Sequence, residues 1–171
     1  MSTYGVAIAI PAPWGPALQD HRKRFGDPIA GAIPPHVTLL PPTAVPEAGS
    51  GPFVAHVGRV AAEHPTFDMV LSGTGTFRPV SPVVFVQVSR GISSCERLES
   101  AVRSGPVERR LDFNYHPHVT VAHHLGDAAL DRAFEELADF RCAFPVRAID
   151  LYEHCRDDVW RPRRSFPLLG A

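Results

Sequence analysis

Two short segments of this chain carry the residue types that proton-transfer chemistry needs. Pro35-His36-Val37-Thr38-Leu39 recurs about half a chain later as Pro117-His118-Val119-Thr120-Val121. Each copy offers an imidazole and, two residues on, a hydroxyl. Along an extended strand residues two apart share a face, so His36 with Thr38, and His118 with Thr120, project together. Val37, Leu39, Val119 and Val121 then point the other way, where they can anchor each strand in a core. If both His-x-Thr faces open on one cleft, two imidazoles and two hydroxyls converge there.

Cleavage of a phosphodiester asks for that set. A base must take a proton from the attacking oxygen, an acid must protonate the leaving oxygen, and donors must hold the phosphoryl oxygens. Histidine, with an ordinary pKa of about 6.5, fills either proton role near neutrality. Threonine hydroxyls can hold the non-bridging oxygens without a metal. Attack and departure take place on opposite sides of phosphorus, so a quasi-symmetric site with one imidazole on each side suits the reaction.

Other residues offer weaker signals. His116-Pro117-His118 is an His-x-His pair, which supplies the alternative of a metal-dependent hydrolase using His116 and His118. Metal sites recruit further His or carboxylate ligands and the first copy has no comparable acidic partner, so no catalytic metal and no cofactor is expected. Tyr115 could stack on a base. Arg161, with Arg163 and Arg164, could collect phosphate, although an Arg cluster near a chain end is commonly a solvated edge. Trp14 and Trp160 read as packing residues, and His21, His56 and His64 as surface histidines. No Gly-rich phosphate loop is present, since Gly73-Thr74-Gly75 lacks the strand–turn–helix setting.

The elements that must position these groups can be read from periodicity and breakers. Strands are expected over Tyr4–Ile10, Ile33–Leu40 (stopped by Pro41-Pro42), Phe67–Phe77, Val83–Val88, His116–His123, Phe144–Tyr152 and Val159–Leu168. Helices are expected over Trp14–Phe25, Gly51–Glu63, Ser94–Ser104, with Ser94 cap-like and Glu96 to Glu99 helix-forming, and Asp127–Asp139. Several strands are hairpin neighbours, which indicates an α+β fold of mostly antiparallel sheet and not a doubly wound parallel one. The duplicated motif suggests two similar lobes of a single domain over residues 1–171.

A chain of 171 residues with 44% hydrophobic content can bury one sizeable core. Its formal net charge of −1 gives no overall attraction to duplex nucleic acid or an anionic membrane, so a nucleic-acid ligand must be small or held locally. Lys23 is the only lysine, and the remaining basic side chains are guanidinium. Three cysteines without C-x-x-C spacing suggest neither a disulfide framework nor structural zinc, and fit a reducing cytoplasm. Tyr4–Ile10 is too short to span a bilayer.

The paired His-Val-Thr strands, their separation, the Phe113-Asn114-Tyr115 lead into the second copy and an Arg- and aromatic-rich closing strand resemble the 2H phosphoesterase superfamily, in particular its bacterial 2′-5′ RNA ligase and RNA 2′,3′-cyclic phosphodiesterase-like branch. The resemblance implies two pseudo-symmetric lobes of mostly antiparallel sheet, with outer helices around a central cleft, and His36, Thr38, His118 and Thr120 as the catalytic set. It further implies opening of a 2′,3′-cyclic phosphate to a 2′-phosphate, on an RNA end or a small cyclic nucleotide, by a monomer. Some relatives also form a 2′-5′ linkage, and a non-catalytic module that binds RNA ends or nucleotides is the other reading. Many relatives carry a basic residue, commonly Arg, five positions after the second histidine. Here that position is His123, which with His124 becomes a candidate substrate contact. His124 shares the face of His118 if the strand stays regular.

Overall fold

The computed structural model describes residues 1–171. Twelve elements follow one another: β1 (Ser2–Ala9), α1 (Trp14–Phe25), β2 (His36–Val45), α2 (Glu47–Glu63), β3 (Phe67–Thr76), β4 (Val84–Arg90), α3 (Ile92–Arg103), β5 (His118–Ala122), α4 (Asp127–Glu136), β6 (Arg141–Val146), β7 (Ala148–His154) and β8 (Trp160–Pro167). They build two four-stranded sheets, ordered β2-β1-β7-β8 and β5-β4-β3-β6. Every strand pairing is antiparallel. This is the α+β architecture anticipated from the sequence.

The two sheets are equivalent strand for strand, with β2 answering to β5 and β1 to β4, but neither is built from one half of the chain. The first half supplies β1 and β2 to the first sheet and sends β3 into the second, while the second half returns β7 and β8 to the first. The helices exchange in the same sense. α1 follows a first-sheet strand yet packs on β5 and α4, and α3 follows a second-sheet strand yet packs on β2 and α2. A continuous apolar core runs through both sheets and the helices against them.

Several strand boundaries differ from those read in the sequence, among them the start of β2 at His36 and not Ile33. Pro41-Pro42 does not end β2, which continues to Val45. Tyr4 pairs with Thr43 and Val6 with Leu40, so both prolines stand opposite the single residue Gly5 in a bulge of an edge strand. There the missing N–H groups cost no ladder bond. The expected strand Phe144–Tyr152 is two strands in different sheets, divided at Arg147. Burial falls on Cys142, Phe144 and Val146 before it and on Ile149 and Leu151 after it. The in–out alternation slips by one residue where the chain changes sheets. α3 also begins earlier than expected, at Ile92 behind a Gly91 cap, so Ser94 lies inside it. No helix is long and apolar enough to cross a membrane.

Candidate active site

β2 and β5 are the edge strands at which the two sheets meet. Their burial patterns coincide over the duplicated motif: His36, Val37, Thr38, Leu39 and Leu40 run half-buried, buried, half-buried, buried, buried, and so do His118, Val119, Thr120, Val121 and Ala122. The valines and leucines hold each strand in the core, and the His and Thr side chains are left at the seam.

Each imidazole is held by the carbonyl two residues before it. His36 Nδ1 lies 2.8 Å from the Pro34 oxygen, and His118 Nδ1 lies 2.7 Å from the His116 oxygen. A carbonyl only accepts, so Nδ1 must carry the proton in both rings. The Nε2 atoms have no protein partner and are left to exchange protons with whatever occupies the seam. His118 is held from the side as well, with Phe77 edge-on at 4.9 Å and Phe85 at 5.1 Å between ring centroids. Phe85 fits there because residue 75 is glycine: a Cβ on Gly75 would fall 2.6 Å from its ring.

Desolvation makes both imidazoles hard to protonate. Burial, reinforced by the positive charges of Arg22 and His118, holds His36 down to about 4 against the Pro34 hydrogen bond, which pulls the other way. Burial likewise lowers His118 against the pull of its hydrogen bond to the His116 carbonyl, and a charge on the His116 ring adds to the lowering. A charge on His118 is among the causes that lower His36, so His36 senses its counterpart across the seam.

Around the pair the space is unequal. On the His118 side a cavity of about 590 Å³ is lined by Thr38, Phe77, Phe113, Tyr115, Thr120 and His123, among others, whereas the pocket beside His36 holds only about 110 Å³ and is bounded by Tyr152 and Trp160. Thr38 belongs to both. His36, Thr38, His118 and Thr120, singled out in the sequence, therefore lie along one seam, His36 at the small pocket, His118 and Thr120 at the large cavity and Thr38 at both.

The weaker candidates separate. Tyr115 lines the large cavity, but its hydroxyl donates to the Thr38 carbonyl at 2.8 Å and ties the lead of β5 to β2. His123 also lines that cavity. β5 ends at Ala122 and His124 takes a left-handed backbone with φ of 58°, so the regular strand that would have aligned it with His118 does not extend that far. His124 instead stacks on His123 with centroids 3.8 Å apart. Arg161 makes two bonds to Asp157, at 2.7 and 2.6 Å, at the tip of the β7–β8 hairpin and lines neither space. Arg163 pairs with Glu153, and Arg164 lies over the Phe166 ring. Trp160 closes the small pocket in addition to packing on His154. His56 is not a free surface residue: its Nε2 reaches the Ala101 carbonyl at 2.9 Å and joins α2 to α3. No group of three or more His, Cys, Asp or Glu side chains is arranged to share a metal ion.

Three functional neighbours had no role in the sequence reading. Arg22 and Asp27 form a buried pair at 2.7 Å, and Asp27 also accepts from the backbone N–H of His123 at 2.9 Å and of Ile29 at 3.0 Å. The signal was present in the helix pattern, because Arg22 occupies the buried stripe of α1 with Gly15, Leu18 and Phe25. Glu99, read as a mere helix former, is 4% exposed and lines the large cavity.

Comparison with known proteins places this geometry. The profile of the 2′-5′ RNA ligase superfamily matches residues 10–158. A protein of Halalkalibacterium halodurans that bears the name phosphoesterase is 29% identical over 136 residues, spanning 80% of this chain and 74% of its own. One of the same name from Geobacillus kaustophilus is 28% identical over 134 residues, spanning 78% and 76%. Among solved structures, TT0787 of Thermus thermophilus superposes with a TM-score of 0.68 at 22% identity over 99% of both chains. E. coli LigT in complex with 3′-AMP does so with 0.70 at 17% identity over 98% of both. The chain belongs to the 2′-5′ RNA ligase superfamily, the 2H phosphoesterases.

Proposed function

We propose that this protein is a metal-independent phosphodiesterase that opens a 2′,3′-cyclic phosphate, on an RNA end or a nucleotide, to a 2′-phosphate, using His36 and His118 as its acid–base pair. The observation that carries the reading is the matched anchoring of the two rings, each with Nδ1–H spent on a backbone carbonyl and Nε2 free. The nucleotide 3′-AMP bound to the related LigT fold supports a nucleotide-like ligand.

In the reaction one unprotonated Nε2 takes a proton from water while the water oxygen forms a bond to phosphorus. The bond from phosphorus to O3′ breaks, and the second imidazole, protonated at Nε2, gives its proton to O3′. Thr38 and Thr120 donate hydroxyl hydrogen bonds to the non-bridging oxygens as negative charge builds on them. Atoms and charge balance without a cofactor. With a 5′-hydroxyl in place of water the same steps make a 2′-5′ linkage.

The test is incubation with nucleoside 2′,3′-cyclic phosphates in excess chelator, with products identified by phosphorus NMR. A 2′-phosphate product is expected, and His36→Asn or His118→Asn should each lower kcat at least about a thousandfold with circular dichroism unchanged. Turnover retained by either variant would overturn the paired assignment. Activity that disappears with chelator and returns with a divalent ion would support the metallohydrolase instead, and tight binding without product the binding module.

A further inference from the structure

The large cavity holds a group that the proton-transfer chemistry does not use. Glu99, on α3, is one of three buried charged residues with Arg22 and Asp27, and no other carboxylate lines the cavity. Its Oε1 accepts from Arg103 Nε at 2.5 Å, one turn further along the helix, which leaves Oε2 without a protein donor. Arg103 offsets the charge of this buried carboxylate, but Oε2 remains an acceptor with no protein partner, and a ligand that fills the cavity can supply its donor.

The rest of the wall describes that part. Phe77 and Phe113 are flat apolar surfaces, and Phe113 and Val80 are 73% and 71% exposed at the rim. Exposed apolar rims of this kind mark a surface that a ligand covers. Asn114 stands with Glu99 in the lining, and its side-chain amide can donate. A planar heterocycle seated against the phenyl faces would meet a carboxylate acceptor and an amide donor at its edge. The small pocket beside His36 has no comparable room, so the nucleoside lies on the His118 side.

From this we infer that the cavity is a nucleobase subsite selective for guanine, with Glu99 accepting from the base's adjacent N1–H and N2–H groups and Asn114 donating to O6. The inference rests on the cyclic phosphodiesterase reading above. Guanine is the one common base that presents two neighbouring donors and an acceptor along its Watson–Crick edge. Adenine, cytosine and uracil each turn an acceptor toward at least one position where the carboxylate oxygens need a donor, and the acceptor set against acceptor disfavours them.

The experiment compares kcat/KM for the guanosine, adenosine, cytidine and uridine 2′,3′-cyclic phosphates in the wild type and in Glu99→Gln, together with Kd values for the four nucleoside 2′-monophosphates. The guanosine substrate is expected to lead by at least about tenfold, and Glu99→Gln to bring the four within about threefold of one another. Asn114→Ala should narrow the preference in part. Ratios within one preparation do not depend on the fraction folded. Equal rates, a lead for another base, or a guanine preference that survives Glu99→Gln would overturn the subsite. If no cyclic phosphate turns over, the reaction reading falls while the Kd series still decides the subsite: guanosine 2′-phosphate binding tightest, and losing its advantage in Glu99→Gln, sustains it, and four equal values end it.

Discussion

At the scale of single residues, the site is defined less by which side chains are present than by where their protons sit. Anchoring Nδ1–H on Pro34 and His116 gives both rings the same tautomer, so the chemistry is confined to Nε2. The lowered values of His36, about 4, and of His118 have a direct kinetic consequence. On the proposed mechanism the competent free enzyme carries one proton on the pair, and that proton is lost as pH rises through the upper apparent pKa, which lies below the ordinary 6.5. kcat/KM should therefore peak on the acidic side of neutrality and fall about tenfold per unit above it, with the acidic limb near 4. A bound phosphodiester anion favours imidazolium, so the alkaline limb of kcat should lie at higher pH than that of kcat/KM. Parallel pH profiles of the two constants check this, and a kcat/KM plateau reaching past pH 8 would contradict it. The duplication of His-x-Thr made these residues visible in the sequence. The tautomer and the desolvation were not visible, because they depend on carbonyls and walls brought by other segments.

At the scale of elements, the motif strands are held by partners from outside their own sheets. α1 reaches across to β5, and Asp27, just past its Gly26 cap, binds Arg22 and the His123 backbone together. Replacing Asp27 by Ala would strand the Arg22 guanidinium in the interior and free the end of β5. A loss of about 3–5 kcal/mol is expected, read as a lower urea midpoint at unchanged slope. A loss under about 1 kcal/mol would show that the pair does not secure the strand. Arg22 was legible as a charged residue on an apolar stripe, yet nothing in the sequence pointed to Asp27 as its partner, since no helix periodicity covers a loop. The extension of β2 past Pro41-Pro42 was hidden for a related reason. Proline breaks a central strand, and whether a strand lies at an edge is a property of the sheet and not of the segment. The division at Arg147 did leave a trace, in the alternation that shifts from Val146 to Ile149 and in Pro145 two residues before it, although Pro145 itself lies inside β6.

At the scale of the whole molecule, the repeat encourages the view that each half of the chain is a lobe, and the topology contradicts it. β3 from the first half lies between β4 and β6 of the second, and β7 and β8 from the second complete the sheet begun by β1 and β2. Each half alone would expose the long apolar edges that its missing strands cover. The β3–β4 connection, Phe77 to Val83, is a natural place to divide the chain, since it joins neighbouring strands of one sheet. Fragments 1–80 and 81–171 should each lack cooperative unfolding when prepared alone. Mixed in equal amounts they should recover the circular dichroism and near-native turnover of the proposed substrate, because every strand would regain its partners and the two motif strands would meet again. A first fragment that folds and melts cooperatively by itself would show instead that the exchange of strands is dispensable. Association would then add only the second histidine, and the acid–base pair would be the product of docking two finished lobes, whereas the exchanged strands require the site and the fold to form in one step.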